Sequence, residues 1–152
     1  MSSSRNTSAD FGAALAALET QFAAAQAAPL SRQKAMIVAL LIDDLANRLF
    51  AAAPEADDIL VFRSGLAAAS PVLALVFALA ALQPDGARLV TEAVEVPLAE
   101  YSALSVEDFM VSLYNDHSVQ RVLIAAPGGE RHDALAVLGE AIAALKARTL
   151  PA

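Results

Sequence analysis

The chain has no cysteine and no tryptophan, and only two tyrosines and six phenylalanines among its 152 residues. The first absence excludes disulfides, thiolate nucleophiles and cysteine-ligated zinc together. The shortage of aromatics leaves no stacking pattern of the kind that single-strand RNA modules need. Positive charge is scarce as well: ten Lys and Arg stand against 17 Asp and Glu, a net charge of −7. The basic residues are scattered, so the sequence predicts neither a nucleic-acid partner nor binding to an anionic membrane surface. HExxH, EF-hand, zinc-finger, GxGxxG and GxxxxGK[ST] patterns are all missing, and no cofactor is expected.

What is present is apolar: 57% of the residues are hydrophobic and 18% charged, with much of the excess in alanine. The longest uncharged stretch is GLAAASPVLALVFALAAL, residues 65–82. Pro71 lacks a backbone N–H and drives Ser70 out of the helical region, which splits the run. Residues 72–82 are then too short for the roughly 20 apolar residues of a membrane span, and they predict a buried core helix. Their flanks hold single basic residues, Arg63 and Arg88, and no positive-inside bias. Near the N-terminus an apolar run precedes Ala25-Gln26-Ala27, but Asp10 offsets Arg5 and Glu19 to Gln21 break the run, so a secretory signal is not expected and a cytoplasmic protein is.

Hydrophobic spacing predicts four helices in the first half. Residues 1–8 are polar and expected to fray. Phe11, Leu15, Leu18 and Phe22 recur at helical intervals, and the helix ends before Pro29. Ser31 caps a second helix with an apolar face of Ile37, Leu41, Leu45 and Leu49, ended by Pro54. A third helix is expected from Pro54, with the acidic residues of PEADD at the positive end of its dipole and Ile59, Phe62 and Leu66 on one face. Ser70-Pro71 starts a fourth, buried nearly all round.

The pattern changes at QPDG, residues 83–86, a turn in which Pro presets φ and Gly supplies a positive φ. RLVTEAVEVP and VQRVLIAAP read as strands, separated by a helix that Ser105 and Asp108 open and that carries Val106, Phe109, Met110 and Leu113 on one side. A last helix is expected from about Arg131 to Arg148, with the stripe Leu135, Leu138, Ile142 and Leu145. The fold class expected is α+β, predominantly helical: one globular domain over residues 9–152, with a four-helix half at 9–83 packed on a two-strand, two-helix part at 84–150.

Chemistry has few candidates. Asp43, Asp44, Glu55 and Asp58 could form a helical carboxylate cluster for a divalent metal, although adjacent aspartates point about 100° apart on a helix. Asp116, His117, His132 and Asp133 could supply two histidines and a carboxylate. They flank one strand, however, and an eight-residue strand separates its ends by roughly 25 Å. The plain alternatives are a polar turn at residues 115–118 and an acidic first turn of the last helix, with Glu130 in it. PGG before that helix could aim backbone amides at a phosphate, but Glu130 and Asp133 would repel it. Ser64 is not in a nucleophile elbow. Arg63, between Phe62 and the long apolar run, is either a surface residue lying along its stem or the partner of a buried carboxylate.

The function expected is that of a non-catalytic interaction or regulatory protein, a homo-oligomer and most simply a dimer, because the helices carry more apolar face than a small monomer hides. A further protein partner is compatible with the same surplus. The alternatives are a small metal-dependent hydrolase built on the carboxylates or on His117 and His132, and a binder of an apolar small molecule between helices.

Overall fold

Helix α2 (Arg32–Ala52) packs against α1 (Ser3–Ala27), α3 (Ile59–Ala69), α4 (Pro71–Ala80), α6 (Ala134–Ala147) and strand β1 (Arg88–Glu95) in the computed structural model. That model describes residues 3–52, 58–96, 104–114 and 118–148. Ser31 opens α2 by accepting the backbone N–H of Lys34 at 3.1 Å, satisfying a donor that has no partner inside the helix. The stripe that α2 buries is Ala35, Val38, Ala39, Ile42, Leu45 and Ala46. Ile37, expected on the buried face, is exposed, while Leu41 and Leu49 are half-buried. The helix is rotated from the expected face because its small residues lie on the inner side, where neighbouring backbones approach. Its flanking polar residues fix the rotation: Asp43 is held by α3 and Arg48 by α1.

Helix α1 starts at Ser3, inside the segment expected to fray. At the other end of the chain α6 crosses it, and a Cβ at Gly139 would stand 3.1 Å from the Phe22 ring. A larger residue there would require the Phe22 ring to shift by a few tenths of an ångström.

Helix α3 begins at Ile59, not at Pro54. Asp58 is its N-cap and accepts the N–H groups of Leu60 and Val61 at 2.8 and 3.4 Å; residues 53–57, including Pro54 and Glu55, lie outside the described part. Ser70 and Pro71 open α4 as the sequence predicts, with Ser70 Oγ accepting from Leu73 N at 3.4 Å. Leu73, Val76 and Leu79 are fully buried and the rest of the helix after Pro71 is half-buried. Among the described residues no helix is long and apolar enough to cross a membrane. The QPDG turn closes with Gly86 N bonded to Gln83 O at 3.0 Å. The positive φ expected at Gly86 falls instead on Leu82, at 55°, where the chain leaves α4.

The sheet has the order β1-β2-β3 and is antiparallel throughout. β1 pairs with β2 (Ser118–Ala125) from Arg88 opposite Ala125 to Glu95 opposite Ser118. β3 (Arg131–Asp133) was not expected: these residues continue the sheet, and α6 starts after them with Asp133 as N-cap. Val122 and Ile124 of β2 belong to the main core with α6. Val119, Arg121 and Leu123 alternate onto the other face, where α5 (Val106–Tyr114) lies. The architecture is thus predominantly helical α+β, as expected, with a third strand added.

The rotation of α2 makes a direct prediction. Ile42→Ala should lower unfolding stability by about 2–5 kcal/mol in urea melts, whereas Ile37→Ala, at a partly exposed position, should cost less, about 0.5–1.5 kcal/mol.

Candidate functional site

The most connected polar group is Arg63. Asp58 caps α3 and fixes its first turn, and Arg63 lies on the side of that helix that faces α2. Its Nη1 donates to Asn47 Oδ1 at 2.8 Å and to the Asp43 backbone oxygen at 3.3 Å, and Nη2 pairs with Asp43 Oδ1. The guanidinium carbon stands 4.2 Å from the centre of the Phe77 ring of α4, and both charged side chains are mostly shielded from solvent. One planar cation therefore joins α2, α3 and α4, through ionic hydrogen bonds and through attraction to an aromatic face. Phe62, one residue earlier, packs its ring 5.6 Å from that of Phe50 on α2. A carboxylate held in this way is not a free base, so the cluster serves as a clamp between helices.

The other helical carboxylates go to different partners. Asp44 accepts from Arg48 Nε at 2.7 Å, and Arg48 also reaches Asp10 of α1. Those bonds, with Asp44 first and Asp10 second, raise the Arg48 pKa above its ordinary value, so the guanidinium stays charged. Asp58 is occupied as a cap, and Glu55 lies outside the described residues. Asp43 and Asp44 are adjacent on a helix and diverge as their spacing requires.

Of the histidine candidates, His132 and Asp133 fall within the described residues. His132 sits on β3 opposite Ile124, half-exposed, with Nε2 3.4 Å from Glu130 Oε2. Asp133 Oδ2 accepts from Ala136 N at 2.9 Å to cap α6. Asp116 and His117 lie outside the described residues. Among the described residues no group of three or more His, Asp or Glu could hold a metal ion. The PGG segment leads into β3 rather than into a helix. Gly129 N bonds Ala126 O and Ala126 N bonds Glu130 O, both at 2.9 Å, and Gly129 takes φ 93°. This is a three-residue hairpin loop with its left-handed residue last, and its amides are not gathered at a helix start.

Sequence reasoning missed a polar layer on the outer face of the sheet. Arg121 pairs with Asp108 of α5 at 3.1 Å, and Arg131 reaches across β2 to both carboxylate oxygens of Glu92 at 3.1 Å. The alternation in RLVTEAVE and VQRVLIA carries that signal once the register is known. The Asp108 pair and the Ser105 cap (Ser105 Oγ to Asp108 N, 3.1 Å) also orient α5. Asp108 is turned toward β2, and Val106 (82% exposed) and Met110 (49%) are exposed.

A second surface lies on α3, just before and at the start of the apolar run. The side of α3 away from α2 presents Leu60 (72% exposed) and Val61 (70%), followed by exposed Ser64, Gly65 and Ala68. The one charge in this helix, Arg63, is turned inward, so its outer side carries none. A Cβ at Gly65 would meet nothing within 4 Å.

The clamp yields a quantitative expectation. A double-mutant cycle of Arg63→Gln with Asp43→Asn should give a coupling of about 0.5–3 kcal/mol, and the Arg48 and Asp44 cycle a smaller one, because that pair is solvated and screened. The chain matches no protein-family model, no curated protein and no solved structure.

Proposed function

We propose that this protein is a non-catalytic, homodimeric interaction or regulatory protein of the cytoplasm, and that two copies meet through the outer side of α3. The observation that carries this reading is the pair Leu60 and Val61, both exposed by about seven-tenths on a helix side without charge. Exposed single apolar residues are ordinary; a contiguous uncharged side is not. Each copy carries −7, so association of two copies must overcome a net repulsion, and a contact that brings no carboxylates face to face suits a second copy. The outer side of α3 holds no charge beyond Asp58 at its N-cap. Ser64, Gly65 and Ala68 add no bulk, which lets a partner helix approach closely, and a two-fold axis through α3 would make the contact self-complementary.

Size-exclusion chromatography with light scattering tests this. The native chain should run as a dimer at micromolar concentration. Val61→Lys should give a monomer with an unchanged circular dichroism spectrum, since Val61 touches solvent in the single chain. A native monomer, or a Val61→Lys dimer, would contradict the assignment.

A further inference from the structure

The distribution of cations points to a second site, independent of the dimer. Arg48, Arg63, Arg121, Arg131 and Lys146 each pair with a carboxylate. Arg32, Lys34, Arg88 and Arg148 form no ion pair among the described residues, although carboxylates outnumber basic residues 17 to 10. Of these, Arg32 and Arg88 line one open groove of 410 Å³, between the first turn of α2, the end of α4 and the start of β1. Met36, Leu82, Ala87 and Leu89 form its apolar wall, and the amide side chains of Gln33 and Gln83 complete it.

Two features of this arrangement are locally unfavourable for the fold. Arg32, with Lys34 close behind, stands in the first turn of α2, which has no acidic residue. A cation there is opposed by the positive end of the helix dipole. Leu82 is the only non-glycine among the described residues with a positive φ, a conformation that β-carbon sterics disfavour. It carries a large apolar side chain that is still mostly exposed. A glycine or asparagine would be the ordinary choice for such a position. Here a leucine lines a groove beside two guanidinium groups that pair with no carboxylate among the described residues. Asp85, in the turn beside the groove, is exposed and pairs with neither arginine among the described residues.

We propose that this groove binds a small carboxylate bearing a short apolar chain, with Arg32 and Arg88 receiving the carboxylate and Met36, Leu82 and Leu89 the chain. Guanidinium groups match the planar geometry of a carboxylate, and the apolar wall supplies affinity that acetate would lack. A neutral alcohol of the same length would leave both arginines without a partner.

Calorimetric titration of the full-length protein with sodium octanoate tests the assignment, with octanol and acetate as comparison ligands. Octanoate should bind saturably at one site per chain, more weakly as salt is raised, and far more tightly than octanol or acetate. The Arg32→Gln, Arg88→Gln double variant should lose about tenfold or more in affinity, the scale of a lost charge-assisted bond. Leu82→Gly should relax the backbone, raise the melting temperature and still weaken octanoate, a combination that a purely structural leucine would not give. Absence of saturable octanoate binding would overturn the proposal, and so would equal binding by the double variant or by octanol. The oligomeric state does not enter these readouts.

Discussion

Burial of Val38, Ile42 and Leu45 on the inner side of α2 ties together elements that are distant in sequence. α1, α4, α6 and β1 all reach α2, and each of these side chains is shielded almost completely. Burial of one such side chain contributes roughly 1.5–3 kcal/mol, so the stripe outweighs any surface ion pair in the molecule. Alanines at 35, 39 and 46 matter for shape more than for area. They bring the partner helices close, and Gly139 does the same where α6 meets Phe22. The price of this arrangement is rotational precision, since turning α2 by one residue would bury Asp43 or Arg48. The Arg63 clamp and the Arg48 pair hold it on either flank.

What could be read in the sequence follows from the range of the interactions involved. Local signals proved legible: the Ser31, Ser70 and Ser105 caps, the Pro71 start and the QPDG turn depend on neighbours a few residues away. The fold class was legible for the same reason, because helical and strand periodicities are local. Three features needed the tertiary structure. The buried face of α2 was misplaced because alanine carries little weight in a hydrophobic pattern. β3 was read as helix because three residues have no periodicity of their own and pair only through the register of β2. The exposure of Val106 and Met110 on α5 accompanies an ion pair between Asp108 and Arg121. Arg63 was legible as a residue of interest, but its partners Asn47 and Phe77 were not, since both lie more than ten residues away.

The polar chemistry has a consistent logic. The carboxylates named as metal candidates that fall within the described residues are spent on caps and arginines: Asp43 and Asp44 on cations, Asp58 and Asp133 on helix starts. Most described cations are spent in return. Of the cations without an ion pair among the described residues, Arg32 and Arg88 line a groove with an apolar wall, and the uncharged side of α3 lies elsewhere. Surface left unsatisfied by the fold is where an acidic, alanine-rich chain has something to offer a ligand or a second copy. These two places follow from one principle: the protein neutralises its charges and buries its apolar sides wherever folding alone requires it.

If α2 is the axis of the structure, its amides should be the last to open. Native-state hydrogen exchange resolves this residue by residue, because core segments exchange only through global unfolding while peripheral ones open locally. The amides of Val38, Ile42 and Leu45 should show protection equal to the global unfolding free energy, those of α3 and α4 should approach it, and those of α5 should exchange far faster. Equal protection in α5 and α2, or rapid exchange at Ile42, would contradict an architecture organised around α2.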